Sequence, residues 1–261
     1  MKTVVISGAS SGIGAAAAAM FADAGYTVYG LSRRAGNDAR VKYISADVCD
    51  EASVKAAFEK IADESKTVDI LVNNAGMGIS GAVEFTELAD AKRQIDVNFF
   101  GMFNCVKAAV PLMRKNGGRI VNTSSVAAVF SVPFQAFYSA SKSAINSLTM
   151  ALRGELKRFG ISVCAVMPGD VKTGFTDARK KSAEGGDIYS GSIERSVAVM
   201  EKDERGGMTP EFVAGYIFRA ATRKKVRPFY VAGFKYRVFC ALGKLLPASV
   251  VSSVVGDMYV K

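Results

Sequence analysis

Thr3-Val4-Val5-Ile6-Ser7 is an apolar, β-branched run that breaks into the glycine turn Gly8-Ala9-Ser10-Ser11-Gly12-Ile13-Gly14, which opens onto the helix-forming stretch Ala15 to Ala19. The alternation repeats along the chain. Thr27 to Leu31, Val41 to Ser45, Ile70 to Asn73, Arg119 to Thr123, Ser162 to Met167 and Pro228 to Val231 read as strands, separated by stretches of helical length. Strands alternating with helices predict an α/β fold, a doubly wound parallel sheet covered on both faces, with ligands bound at the carboxyl ends of its strands. With 261 residues, 49% of them hydrophobic, a single domain can bury one large core.

Composition excludes several classes. Cys49, Cys105, Cys164 and Cys240 lie far apart and the chain has no histidine, so no Cys/His spacing for zinc exists and no metal is expected. Met1 to Ile6 runs into the glycines too soon for the apolar core of a signal peptide, and no apolar run approaches the roughly 20 residues of a membrane span. A cytoplasmic protein is expected. The net charge of +10 is uneven: residues 223 to 261 hold eight Lys/Arg against one acid, giving +7 and leaving +3 for the rest. Phe229, Tyr230, Phe234, Tyr236 and Phe239 interleave with those charges, yet no nucleic-acid motif accompanies them and no nucleic-acid partner is expected.

Two segments depart from the alternation. Residues 174 to 209 are polar, carry glycine pairs at 185–186 and 206–207, and end at a fresh helix start, Thr209-Pro210-Glu211. Long irregular inserts are usually lids or binding loops, so this one is expected to cover a substrate. Residues 233 to 261 form an apolar, basic extension beyond a domain of residues 1 to 232.

The glycine turn lets the backbone approach a pyrophosphate, whose charge is met by amides at a helix N-terminus. Its spacing is GxxxGxG, not the GxxxxGKS of a P-loop nucleotidase. The second strand ends at Leu31-Ser32-Arg33-Arg34, about 20 residues beyond the glycines, where an NAD site places an acid on the ribose and an NADP site a small residue and a cation. Ser32, Arg33 and Arg34 fit NADP(H), and Asp38 lies too far along to substitute as the acid.

Tyr138 and Lys142 are four apart in Tyr138-Ser139-Ala140-Ser141-Lys142, one above the other on a helix face. A phenol with a pKa of about 10 serves as acid and base near neutrality only after a shift of roughly 3 units, or about 4 kcal/mol. One cation about 4 Å away, at an effective dielectric of about 20, contributes on the order of 4 kcal/mol, so Lys142 is expected to lower the tyrosine pKa. Ser125, thirteen residues upstream, is the candidate partner hydroxyl, while Ser124, Ser139 and Ser141 read as structural.

The glycine turn, the Tyr138/Lys142 pair and Ser125 together resemble the short-chain dehydrogenase/reductase family, a Rossmann-fold family, over residues 1 to 232. Asn73-Asn74-Ala75-Gly76, Asp47-Val48, Asn98 within Asp96-Val97-Asn98-Phe99-Phe100-Gly101, and Pro168-Gly169 followed by Thr173 extend the likeness. The resemblance implies that Tyr138 is the general acid/base, that Ser125 polarises a substrate carbonyl, that Lys142 also bonds the nicotinamide ribose, and that Asn98 holds a water of a proton relay. It implies a cofactor site of Gly8, Ser10, Ser11, Gly12, Ile13 and Gly14, then Ser32, Arg33 and Arg34, with Asp47 and Val48 at the adenine. Asn74, Ala75 and Gly76 would line the cleft beside Tyr138 and Lys142, and Pro168, Gly169, Val171 and Thr173 would meet the nicotinamide. A homodimer or homotetramer built through the helices carrying Asn98 and Tyr138 is implied as well.

The run from Asn73 to Gly81, followed by Glu84, resembles the branch of hydroxysteroid and retinol dehydrogenases, which implies a bulky lipophilic alcohol or ketone as substrate. Two readings stand beside it: a 3-ketoacyl carrier-protein reductase that docks an acidic carrier on the basic tail, and a dinucleotide-binding redox sensor without turnover. In the tail, Phe234, Val238, Phe239, Leu242, Leu245 and Leu246 approximate one helical face with Lys235, Arg237 and Lys244 off it. Such a face suits packing or an oligomer contact, a substrate lid, or a peripheral membrane contact. Met77, Met167, Met200 and Met208 suit an adaptable apolar pocket, although methionine is more often ordinary core.

Overall fold

Every residue of Thr3–Ser7 (β1) is buried, because helices cover both faces of the sheet at whose centre it lies. The computed structural model describes residues 1–243 and 245–260, so Lys244 lies outside the described residues. β1, β2 (Thr27–Ser32), β3 (Val41–Ser45), β4 (Ile70–Asn73), β6 (Gly118–Thr123), β7 (Ile161–Met167) and β9 (Phe229–Val231) form one parallel sheet, ordered β3-β2-β1-β4-β6-β7-β9. Two short strands, β5 (Ile79–Ser80) and β8 (Lys180–Lys181), pair apart from it. The seven strands of the main sheet fall where the alternation of the sequence puts them.

Side chains of one strand alternate between two cores. Val4 and Ile6 meet Ala17 and Phe21 of α1 (Gly12–Asp23) and Val213 and Ile217 of α8 (Pro210–Thr222). Val5 joins the opposite layer, built by α2 (Glu51–Ser65), α4 (Gly101–Met113) and α5 (Ala136–Glu155) through Phe58, Met113 and Ile145. Burying each large side chain contributes about 1.5–3 kcal/mol relative to exposure. β3-β2-β1 spread one way and β4-β6-β7-β9 the other, so a cleft opens at the carboxyl ends of β1 and β4.

A buried amide ladder fixes α5 over this cleft. Asn73 Nδ2 donates to Asn122 Oδ1 at 2.9 Å, and Asn122 Nδ2 donates to Thr149 Oγ1 at 2.9 Å. Thr149 lies seven residues, about two turns, beyond Lys142, so the bond that anchors the helix also sets the face that the lysine presents. On the other side of the cleft, α3 (Leu88–Ile95) runs through a widened π turn, Asp96–Phe100, into α4.

The segment expected to be an irregular lid is largely ordered. It contains α6 (Phe175–Ala178), β8 and α7 (Ser192–Arg205), whose Ile193, Ser196 and Met200 recur at three- and four-residue spacing and are buried. Its polarity belongs to the outward face, and that polarity conceals a narrow inner stripe. Thr209 caps α8 as the sequence predicts, accepting from Phe212 N at 3.2 Å. Arg179, buried, is ion-paired with Glu204, and Thr176 Oγ1 donates to the other Glu204 oxygen at 2.7 Å.

Beyond β9 the tail folds back as α9 (Phe234–Gly243) and α10 (Ala248–Tyr259), the latter against α7. Tyr236 lies on Gly169, where a β-carbon would stand 2.2 Å from the ring, and its hydroxyl donates to Asp170 Oδ2 at 2.5 Å. Among the described residues no helix is long and apolar enough to cross a membrane.

Removing one partner of a buried ion pair costs about 3–5 kcal/mol, because the other charge is left without compensation. Glu204→Ala is therefore expected to speed amide exchange in α7 by about a hundredfold or more while β1 and β4 keep wild-type protection, as read by hydrogen exchange with mass spectrometry.

Candidate active site

α1 begins without a side-chain cap. Ser11 occupies the capping position, but its hydroxyl makes no bond to the first-turn amides, which leaves those N–H groups for an anion. Gly14 lets the turn close on itself: a β-carbon there would stand 2.1 Å from Gly8 O. Ser7 Oγ accepts from Asn74 N at 3.0 Å and from Ala75 N at 3.2 Å, which holds the loop after β4 against the glycine turn. Serine suffices here because only its hydroxyl is used.

The cleft that results has a volume of about 730 Å³. Gly8, Ser10, Ser11, Gly12 and Ile13 line one end with Ser32, Arg33, Arg34, Asp47 and Val48, and Asn74, Ala75 and Gly76 line the middle. Ser125, Tyr138, Lys142, Pro168, Gly169, Val171 and Thr173 line the other end. Gly14 and Asn98 are the two predicted residues that do not face it. Gly14 acts through the shape of the turn, and Asn98 lies buried behind the wall.

At the rim, Arg33 and Arg34 are exposed, and Ser32 Oγ donates to Arg34 O at 2.5 Å. Asp38 is engaged elsewhere, accepting from Arg40 Nη2 at 2.7 Å and Nε at 2.9 Å, and these bonds lower its pKa to about 2. Asp47 accepts from Cys49 N at 3.0 Å, and this bond keeps its carboxyl below the usual range and ionised.

At the inner end, Ser125 Oγ accepts from Ala127 N at 3.1 Å and donates to Pro168 O at 3.4 Å, and Ser125 and Tyr138 line the same end of the cleft. Lys142 Nζ donates to Thr123 O at 2.9 Å and lies 5.5 Å from the centre of the Tyr138 ring. Asn98 Oδ1 accepts from Met77 N at 2.8 Å, while its Nδ2 donates to Met77 O at 3.1 Å and to Ser141 Oγ at 3.0 Å. Ser141 Oγ in turn donates to Tyr138 O at 2.7 Å, so the Asn98 amide ties the π turn to α5.

The electrostatics of the pair differ from the expectation. Burial raises the Tyr138 phenol to about 12 and lowers Lys142 to about 8, desolvation being the largest cause for each. The ammonium is directed at Thr123 O and lies 5.5 Å from the ring centre. Tyr138 is therefore a protonated acid at neutral pH in this structure.

Beyond Tyr138 a second, largely apolar cavity of about 310 Å³ opens, and the sequence holds no motif for it. Ser125 and Tyr138 form one end together with Asp170, Asp203 and Glu204, and Phe130, Val132, Phe239, Leu242, Leu246, Val251, Val254, Val255 and Met258 form its walls. Phe175 leans on Tyr138, with ring centres 5.8 Å apart. Asp170 and Tyr236 are 66 residues apart, too far for spacing to connect them.

The family model for short chain dehydrogenase matches residues 2–184. The chain belongs to the short-chain dehydrogenase family. Its members are oxidoreductases acting on CH–OH and C=O groups, and this short-chain dehydrogenase is one of them. It is 43% identical over 227 residues to a 3-ketodihydrosphingosine reductase of Bacteroides thetaiotaomicron, covering 85% of this chain and 84% of the relative. A solved short-chain dehydrogenase from Streptomyces avermitilis superposes with a TM-score of 0.83 at 30% identity, covering 98% of this chain and 95% of the other. Among the neighbours that hold nucleotide are two with different dinucleotides. One, from Burkholderia phymatum, is in complex with NAD (TM-score 0.80, 25% identity, 92% of each chain). The other, ElxO, has NADP bound (TM-score 0.74, 27% identity, 91% and 99%).

Because Lys142 falls from its ordinary 10.5 to about 8 on burial, the unfolded chain binds more protons between those values, and stability gains with pH across that window. Below pH 8 the buried charge costs at most about 3 kcal/mol. Lys142→Met should therefore melt no lower than the wild type at pH 7, and any excess stability should shrink toward pH 10. A melting temperature several degrees lower at pH 7 would show that the bond to Thr123 outweighs the cost of burial.

Proposed function

We propose that this enzyme is an NADP(H)-dependent reductase of a long-chain amino ketone, a 3-keto sphingoid base. The observation that carries this is the apolar cavity that starts at Ser125 and Tyr138 and runs between the tail helices. A long alkyl chain suits such walls. At the reacting end, Asp170, Asp203 and Glu204 face the cavity against one lining cation, Lys235, and Glu204 is ion-paired with a buried arginine. That negative end is complementary to an amino group beside the ketone, which 3-ketodihydrosphingosine carries, and the 43% identical relative is named for its reduction. These features favour a long-chain amino ketone over the steroid or retinoid suggested by the Asn73 to Gly81 run, and over the acidic carrier. A redox sensor without turnover has no need of a cavity at Tyr138.

A nicotinamide dinucleotide held in the cleft would supply the hydride to the carbonyl carbon. Ser125 and Tyr138 present two hydroxyls to the oxygen on which negative charge develops, and Tyr138, held protonated by burial, gives up its proton there. The Lys142 ammonium stabilises the phenolate that results, and it does so below about pH 8. Asn98 holds the π turn against α5 and would position a water of the proton relay. Ser32, Arg33 and Arg34 would receive a 2′-phosphate, which favours NADP(H) because the nearest acid, Asp38, is tied to Arg40. Phe100, Phe103 and Met150, exposed on the π turn, α4 and α5, supply an apolar face for a homodimer or homotetramer.

Reduction of 3-ketodihydrosphingosine followed through NADPH absorbance tests the assignment. Tyr138→Phe should lower kcat by about 10²–10⁴ with unchanged NADPH affinity. The wild-type rate should hold below pH 8 and fall above it as Lys142 loses its proton. Val255→Trp, which fills the cavity, should raise KM for the long-chain ketone about tenfold or more and leave a short ketone unaffected. Wild-type turnover of small ketones with none of the long-chain amino ketone would refute the substrate, and a preference for NADH would refute the role of Arg33 and Arg34.

A further inference from the structure

The tail presents an apolar face that hydride transfer does not use. Phe234 is 74% exposed and Leu245 81%, and Leu246, Val250, Val254 and Met258 are 42–52% exposed. Isolated exposed apolar side chains are ordinary, but a set gathered on two consecutive helices and the turn that joins them marks an interaction surface. Cations rim it: Lys235 Nζ lies 5.6 Å from the Tyr236 ring, and the Arg237 guanidinium lies 5.6 Å from the Phe234 ring. Residues 223 to 261 carry +7 in all. Apolar side chains edged by cations, with aromatic rings between them, fit the headgroup layer of an anionic bilayer, where the rings and chains enter and the charges meet phosphate. Residues 233 to 261 hold Lys235, Arg237, Lys244 and Lys261 against Asp257, so a second copy of the same segment would oppose +3 with +3, and an anionic lipid surface is the better complement.

The cavity points the same way. Phe239, Leu242, Leu246, Val254 and Met258 line it and are themselves 41–52% exposed, so its mouth opens through this face. We propose that α9 and α10 dock on an anionic membrane surface and that the substrate passes from the bilayer into the cavity without crossing water. The passage rests on the long-chain ketone proposed as substrate, whereas the docking does not.

Sedimentation of the full chain with vesicles of phosphatidylcholine, with or without phosphatidylglycerol, tests the docking. Binding should be about tenfold stronger with phosphatidylglycerol and should weaken in high salt. Phe234→Ser combined with Leu245→Ser should lower vesicle binding about tenfold. The same variant should retain the melting temperature and the NADPH-dependent turnover of a water-soluble short ketone. Docking is overturned if the wild type binds neither vesicle or if the double variant binds as well as the wild type. It is also overturned if this variant instead dissolves a concentration-dependent dimer, which would assign the face to a second copy. Failure to dock with turnover of the long-chain ketone in detergent removes the membrane surface and leaves the substrate. Docking without that turnover refutes the substrate and the passage while the surface stands.

Discussion

A parallel sheet covered on both faces sends the loop that follows each of its strands to one edge, and the chemistry of this protein depends on that constraint. The glycine turn after β1, Ser32 to Arg34 after β2, Asp47 and Val48 after β3, Asn74 to Gly76 after β4, Ser125 after β6 and Pro168 to Thr173 after β7 come from distant parts of the chain, yet all reach one cleft. The divergence of crossovers between β1 and β4 keeps that edge open. Polar ties then remove the remaining freedom. The amides of Asn73 and Asn122 hold α5 to the sheet, and Asn98 holds the same helix to the π turn, so Tyr138 and Lys142 are gripped from two sides.

Burial decides the protonation of that pair. A lysine one helical turn from a tyrosine promises a more acidic phenol, but both groups are enclosed, and enclosure penalises each charged form. The result is a tyrosine that keeps its proton near neutrality and a lysine that readily loses its own. In the reductive direction this suits the need, because the acid must be loaded before the alkoxide appears and the cation is required only as the phenolate forms.

The reaction class and the substrate are housed in different parts of the chain. The motifs end before residue 174, whereas the walls of the second cavity come mainly from α9 and α10, with a carboxylate end shared by the loop after β7 and by α7. The segment before α8, polar enough to suggest a loose lid, is fixed by the pairing of β5 with β8 and by the ion pair of Arg179 with Glu204. Its position carries Glu204 and Met200 to the cavity, and α10 packs upon it.

The strands, the glycine turn, the Tyr138/Lys142 spacing and the Ser32-Arg33-Arg34 rim were legible in the linear chain because each is a local pattern: an apolar β-branched run, an uncapped helix start, one helical turn, a strand end. Local patterns survive without coordinates. The protonation of the pair, the use of the Asn98 amide, the inner stripe of α7 and the cavity beyond Tyr138 were decided by the tertiary structure alone. Each depends on what encloses a group or on residues far apart, as Tyr236 and Asp170 are at 66 positions' separation. Desolvation and cavity shape are properties of the surroundings of a residue, and those surroundings exist only once the chain has folded.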